Sequence, residues 1–324
     1  MRLFIMALTA LTLFVAYAPL AQATFVADDN RYLAAATQPL AWGARPFTVA
    51  AWQLLPQTPL AHHAANLVLH LIASALLWRV LTLLLVHDDV ALLVAALFAV
   101  WPTTVETVAY ATALADLLVT ISILAAVLIA WQASSALRAV IGAGAVLALG
   151  LGAKEYAITG LAIVPLVCSL RRRSLLAVWA LGLMVTLVAA WPYRFAGSSL
   201  ALHVSAGRWY ATTAAAVARE LRLWVWPDGL TIEVDVTNWP ANRSLWAMAG
   251  VVSVAAIAAL RTIDRRAFVG AAWVVSAVAW RFLDQAPRNL LNDHQMYLSG
   301  IGLAIIAAAV LHRIWPTALV GACA

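Results

Sequence analysis

The stretch Thr107–Trp131 reads TVAYATALADLLVTISILAAVLIAW and holds a single charged residue, Asp116. About 20 consecutive apolar residues are enough for a helix to cross the hydrocarbon core of a membrane. Similar runs recur along the whole chain, which is 65% apolar and has only 20 basic and 14 acidic residues among 324. Because a soluble domain carries about a quarter charged residues, this composition excludes a soluble enzyme, a disordered chain and a nucleic-acid binder.

The apolar runs predict an all-α transmembrane bundle of about ten spans that forms a single domain over residues 1–324. The predicted spans are residues 3–20, 64–86, 88–101, 107–131, 138–152, 156–170, 174–191, 245–261, 267–283 and 296–314. Residues 1–23 fit either a cleavable signal peptide ending in Ala21-Gln22-Ala23 or an uncleaved first helix. We favour the uncleaved helix.

Arginines in short loops predict the orientation. If the spans alternate, the run Arg171-Arg172-Arg173 and the turn with Arg261, Arg265 and Arg266 fall on one side. By the positive-inside rule that side is cytoplasmic, which also accounts for the net charge of +6. The expected setting is a bacterial inner membrane with a cytoplasmic N-terminus. Two long segments, about 21–63 and 192–244, then face the periplasm or exterior, the second with an interfacial helix at 211–226.

Five Trp-Pro pairs add a local prediction. They begin at Trp101, Trp191, Trp226, Trp239 and Trp315. Proline disfavours helix at the residue before it, and tryptophan prefers the membrane interface. Each pair is therefore expected to end a helix at the headgroup level.

Acidic residues mark three places on the outer side. Asp28 and Asp29 follow the first span and fit a general base, a cation ligand or a solvated helix cap. Glu106 and Asp116 stand ten residues apart, about 15 Å along a continuous helix. They are therefore expected to serve different places unless the helix breaks between them.

Lys154, the only lysine in the chain, precedes Glu155 in the turn of a hairpin from Leu137 to Leu170. As helix, this hairpin rises about 51 Å, whereas two full crossings need roughly 60 Å. The turn is therefore expected below the outer headgroups, where a charge must meet a polar cavity or an anion. The open alternatives for that anion are Glu155 itself and a bound phosphate.

Histidines occur at two further candidate places. The stretch 281–297 contains Arg288, His294 and Tyr297, and the second span opens with His62 and His63. Neighbouring residues on a helix point about 100° apart, so the histidine pair alone is not expected to bind a metal.

The order of these motifs resembles the GT-C membrane glycosyltransferases, in particular the transmembrane-and-TPR-containing O-mannosyltransferases and their bacterial relatives. The similar stretches are Asp28-Asp29, Arg45-Pro46-Phe47-Thr48, HHAANLVLH at 62–70, AALFAVWPTTVETVA at 95–109, Ala115-Asp116-Leu117-Leu118, Ala153-Lys154-Glu155, ELRLWVWPDGL at 220–230 and HQMYLSGIGL at 294–303. Trp101 stands where the family has histidine, and His294 stands where it has arginine. The TPR repeats of that family have no counterpart in these residues.

The resemblance implies transfer of a sugar from a polyprenyl-phosphate donor to a hydroxyl of a protein or glycan acceptor, within membrane lipid. It implies that Asp28 or Asp29 is the catalytic base, and that the substrate-binding residues are Arg45, Glu106, Asp116, Lys154, Glu155, Arg288, His294 and Tyr297. No cofactor is implied with certainty, and a divalent cation at Asp28 and Asp29 stays open. Two other functions also stay open, a catalytically silent GT-C-like scaffold and a transporter or flippase of lipid-linked sugars.

Overall fold

The computed structural model describes residues 1–26, 29–36, 45–84, 87–171, 218–219, 221–230, 263–279 and 293–322, and every element within them is helical. The α-helices are α1 (Arg2–Tyr17), α2 (Asp29–Ala36), α3 (Pro46–Leu54), α4 (Pro59–Leu84), α5 (Asp88–Val100), α6 (Val105–Ala109), α7 (Leu114–Gln132), α8 (Ala136–Ala153), α9 (Gly160–Cys168), α10 (Arg265–Ala279) and α11 (Tyr297–Ala322). Short 3-10 turns precede α9 and α11, at Glu155–Thr159 and Asp293–Met296.

Five of these helices are long and apolar enough to cross a membrane, or six if a bent pair is one span, so the chain is compatible with an integral membrane protein. They are Arg2–Gln22, Pro59–Leu84, Ala111–Gln132, Ala136–Ala153 and Tyr297–Ile314, with the bent pair Asp88–Val100 and Pro102–Ala109. The predicted spans 174–191 and 245–261 lie outside the described residues, so the total of ten stays a prediction. The predicted span 156–170 corresponds to a shorter apolar helix, Glu155–Cys168.

One end of the bundle, called the motif end here, is defined by Asp29, Arg45, Asp116, Lys154 and His294. Contacts among these residues and their partners join the start of α2, the start of α7, the end of α8 and the start of α11. Thr48 in α3 also donates a 2.7 Å hydrogen bond to the backbone carbonyl of Ala153 at the end of α8. Segments far apart in sequence therefore meet at this end.

The opposite end, called the arginine end, is defined by Arg2, Arg138, Arg171 and Arg313. Arg2 contacts Asp89 at the start of α5, and Arg313 contacts Asp264 just before α10. Arg171 donates to the backbone carbonyl of Trp131 at the end of α7. The sequence placed these arginines on one side and the acidic motifs on the other, and the described residues have that separation. Which end faces the cytoplasm stays a prediction.

The predicted continuous span 107–131 is wrong in its first turns. α6 ends at Ala109, Tyr110 is extended, and α7 begins only at Leu114. The side-chain amide of Asn66 in α4 donates to the carbonyls exposed by this break, with the shortest bond 2.8 Å long to Tyr110. A buried break is stable because these backbone groups keep a partner.

The Trp-Pro prediction has mixed outcomes. α5 ends at Val100 and Trp101 is extended, as predicted, and the chain then bends by 55° into the next helical segment. The helical segment 221–225 likewise ends before Trp226-Pro227, and Gly229 supplies the left-handed turn that follows, with φ of 66°. At Trp315-Pro316 the prediction is wrong, because α11 continues to Ala322. Proline removes one helical hydrogen bond but need not stop a membrane helix.

Small residues allow two close helix contacts. A Cβ atom at Gly150 of α8 would lie 2.2 Å from the hydroxyl of Ser122 in α7. A Cβ atom at Gly302 of α11 would lie 2.5 Å from the backbone oxygen of Gly270 in α10. Such small-residue contacts are typical of helices packed within a membrane, and they fix α7 against α8 and α10 against α11.

Candidate functional site

Asp29 is fully buried at the first turn of α2 and joins that helix to the break before α7. Its Oδ1 accepts from the backbone N–H of Thr112 at 2.8 Å and from the Thr112 hydroxyl at 2.6 Å. Its Oδ2 accepts from the backbone N–H of Val26 at 3.0 Å. Three donors therefore hold the carboxylate, which positions the segment that carries the acidic pair.

Lys154 forms a buried ion pair with Asp116. Its ammonium lies 2.9 Å from Oδ1 and 2.8 Å from Oδ2, and the two side chains are only 8% and 1% exposed. The Tyr156 hydroxyl donates to the backbone carbonyl of Asp116 at 3.3 Å. The sequence offered Glu155 or a phosphate as the anion for Lys154, and the structure gives a third, Asp116. The break before α7 puts Asp116 in the first turn of that helix, level with the end of α8.

Glu106 binds His294 through both carboxylate oxygens. Oε2 accepts from the backbone N–H of His294 at 2.7 Å, and Oε1 lies 2.9 Å from the ring Nδ1. The carboxylate oxygen is an acceptor, so Nδ1 carries the proton in this contact. His294 also lies within electrostatic reach of Asp116. Glu106 and Asp116, expected at different places along a continuous helix, therefore belong to one cluster.

Arg45 and Glu155 form the more exposed ion pair of the motif end, with side chains 28% and 50% exposed. The guanidinium donates from Nη2 to Oε1 at 2.8 Å and from Nε to Oε2 at 3.1 Å, and its Nη1 donates to the Tyr32 hydroxyl at 3.0 Å. Partial burial disfavours the ionised Glu155 carboxyl, but Arg45 favours it more, so the pKa of Glu155 lies below its ordinary value.

His62 and His63 lie buried at the start of α4, and the pair alone was not expected to bind a metal. Both rings lie within electrostatic reach of Asp29, and none of their ring nitrogens has a hydrogen-bond partner among the described residues. The ring centroids of His62 and Trp52 are 3.9 Å apart. Within the described ranges, no group of three or more His, Cys, Asp or Glu side chains could hold a metal ion.

Tyr297 is buried more deeply than expected for the substrate-binding role that the resemblance implies for it. It is fully buried at the start of α11, and its hydroxyl lies 2.6 Å from His70 Nδ1. His70 Nε2 lies 2.8 Å from the Ala99 carbonyl and must donate to it, so the Tyr297 hydroxyl donates to Nδ1. These two bonds join α4, α5 and α11. The only sequence signal for them was that all three residues belong to the similar stretches.

The stretches that carry the resemblance contact one another. Beyond the pairs above, the ring of Trp224 stacks on Phe98 at a centroid distance of 5.9 Å. A Cβ atom at Gly300 would lie 2.0 Å from that tryptophan ring. Residue 300 must therefore be glycine for the Trp224 ring to occupy this position.

Two of the implied site residues, Asp28 and Arg288, lie outside the described residues, and the cation alternative at Asp28 and Asp29 therefore stays open. The described candidates Asp29, Arg45, Glu106, Asp116, Lys154, Glu155 and His294 gather at the motif end, whereas Tyr297 belongs to the core beneath them. Comparison of the chain with protein-family models, with curated proteins and with solved structures found no match.

Proposed function

We propose that this chain is a membrane glycosyltransferase that moves a sugar from a polyprenyl-phosphate donor to an acceptor hydroxyl at the motif end. One observation carries the proposal: acids, cations and a histidine from separate segments gather at one end of an apolar bundle. Charges within or near a membrane are expensive and mark function by default. A lipid-linked donor would keep its lipid beside the helices and offer its phosphate and sugar at this end.

The proposed reaction needs a base for the acceptor hydroxyl. The acceptor oxygen forms a bond to the sugar C1 while the bond from C1 to the phosphate oxygen breaks. The hydroxyl proton passes to a carboxylate, and the lipid phosphate leaves with the bonding electrons. We assign the base role to Asp28, since three hydrogen bonds already hold Asp29 in its place at the start of α2.

The donor phosphate needs a cation that can leave its present partner. Lys154 is held by a buried carboxylate, and breaking such a pair costs about 3–5 kcal/mol. Arg45 holds Glu155 in the two-pronged geometry that arginine also uses for phosphate, and both of these side chains are partly exposed. In our proposal the donor phosphate therefore takes the place of Glu155 on Arg45, while Lys154 and Asp116 stay paired.

A second candidate, a catalytically silent scaffold, is favoured by a different observation. Each charged side chain placed at the motif end already has a partner within the described chain: Arg45 has Glu155, Lys154 has Asp116, and His294 has Glu106. A scaffold needs these pairs only for folding. Donor binding separates the two functions, because a scaffold has no use for the phosphate.

The test uses the purified full-length chain in lipid nanodiscs with a panel of polyprenyl-phosphate sugars and hydroxyl acceptors. Released polyprenyl phosphate reports transfer. We expect Asp28→Asn to slow transfer by at least about 100-fold, and Arg45→Gln to weaken donor binding more than Arg45→Lys. Asp88→Asn at the arginine end, where that residue pairs with Arg2, is the matched control. Folded wild-type protein that binds none of the donors would favour the scaffold.

A further inference from the structure

Two exposed arginines at the arginine end, Arg138 in the first turn of α8 and Arg171 just after α9, contact the end of α7 and the turn that follows it. They lie far from the residues of the proposed reaction. Arg138 donates from Nη1 to the Ser134 hydroxyl at 2.7 Å. Arg171 donates from Nη1 to the Trp131 carbonyl at 2.8 Å, and its guanidinium lies 5.9 Å from the centroid of the Trp131 ring. Both guanidinium groups are therefore fixed against the same short turn.

These two arginines differ from Arg2 and Arg313, the other two residues that define this end. Arg2 is paired with Asp88 and Asp89, and Arg313 is paired with Asp264. Arg138 and Arg171 have no acidic partner among the residues that the structure describes. A guanidinium has five N–H donors, so most of the donors on each arginine stay free for an anion. Two positive charges without an acidic partner among the described residues therefore lie against the same short turn.

An apolar surface continues from these charges along α8. Leu137, Ile141 and Leu149 are 68%, 62% and 56% exposed, and with the exposed Ala145 and Ala148 they follow one face at helical spacing. The small side chains of the two alanines make the middle of this face shallow. Arg138 lies at its end beside Leu137. Trp131 is expected to lie at the headgroup level, where tryptophan is enriched.

We propose that this surface binds an anionic phospholipid, with its phosphate between Arg138 and Arg171 and an acyl chain along the exposed face of α8. Charge complementarity favours a headgroup with net negative charge such as phosphatidylglycerol, since neither arginine has an acidic partner in the part of the chain that the structure describes. The apolar face of α8 would also bind an acyl chain, which free phosphate lacks. The polyprenyl-phosphate donor is a different ligand, because its proposed phosphate site is at the opposite end of the bundle.

The experiment measures lipid binding to the full chain in neutral detergent by native mass spectrometry, with phosphatidylglycerol and phosphatidylcholine as the probes. An arginine near an anionic headgroup contributes about fivefold in affinity. We expect Arg138→Gln and Arg171→Gln each to weaken phosphatidylglycerol binding about fivefold and the double variant about 25-fold. Phosphatidylcholine binding should stay nearly unchanged. The matched control is Arg2→Gln/Arg313→Gln, which removes the same charge from the same end.

An equal loss of phosphatidylglycerol binding in the control would overturn the proposal, because it would show a diffuse effect of positive charge. A second measurement needs only the wild-type chain, in case the double variant does not fold. Phosphatidylglycerol with a photoreactive acyl chain should crosslink to residues 137–149 of α8. Crosslinks spread evenly over the exposed faces of α1 and α8 would also overturn it. Competition by inorganic phosphate as effective as by lipid would show that the acyl chain plays no part.

Discussion

The two ends of the bundle differ in how deeply their ion pairs are buried. At the motif end, Lys154 and Asp116 are buried and joined across 38 residues of sequence. At the arginine end, Arg2 and Arg313 pair with acids at the surface, where solvent screens them. A buried pair depends on both partners, whereas an exposed pair contributes little. The comparison teaches that burial, more than the presence of an ion pair, decides how much the pair contributes to holding the helices together.

The largest expected effect comes from breaking the buried pair. Lys154→Met leaves the Asp116 carboxylate buried without a cation, which should lower the free energy of unfolding by about 3–5 kcal/mol. Arg313→Gln, the matched change in an exposed pair, should cost less than about 1 kcal/mol. Thermal unfolding in one detergent checks both variants.

A double variant sharpens the same comparison. Lys154→Met/Asp116→Leu removes both charges and should recover most of the lost stability, because a well-packed apolar pair often replaces a buried ion pair without loss. Equal small losses for Lys154→Met and Arg313→Gln would show that burial does not distinguish the two ends.

A smaller effect is expected at Asp29. Asp29→Ala leaves the N–H groups of Thr112 and Val26 without their acceptor, which should cost about 2 kcal/mol. Asn30→Ala, at the exposed next position of α2, should change stability by less than about 0.5 kcal/mol. The measurement is again the thermal unfolding midpoint, which does not depend on any enzymatic activity. If the two variants have the same unfolding midpoint, Asp29 does not anchor this segment.

The smallest effect concerns pH and the exposed pair of the motif end. The pKa of Glu155 is lowered in the folded chain, so its pairing with Arg45 contributes stability above the unfolded value of about 4.3. That contribution is lost as the pH falls through the lowered folded pKa. The melting temperature of Glu155→Gln should therefore lie slightly below that of the wild type at pH 7. The two should converge below about pH 4, and a gap that widened there would contradict the pairing.

The separation of charge between the two ends could be predicted from sequence, because loop arginines and outer acids fall on alternate sides of the spans. The partner of Lys154 was missed, although a signal was present. Asp116 lies 15 residues before Trp131, and Lys154 lies 18 residues after Ala136. The two arms of an antiparallel hairpin bring such positions level, but this register depends on where the turn between α7 and α8 begins and ends, which the apolar runs do not specify.

Other contacts had no local signal at all. The bond between His70 and Tyr297 joins residues 227 positions apart. It depends on how α4, α5 and α11 pack, which neither apolar periodicity nor loop charge specifies. The contact of Trp224 with Gly300 is of the same kind, since only the packed bundle shows which glycine leaves room for the ring.

The pairing of Asp116 with Lys154 also constrains how the chain enters the bilayer during synthesis. An aspartate or a lysine inserted alone costs up to about 3 kcal/mol, and Lys154 leaves the ribosome well after Asp116. If α7 moved into lipid by itself, its carboxylate would have no cation until α8 followed. The two helices are therefore expected to leave the translocation channel together as one hairpin, with their charges already neutralised against each other.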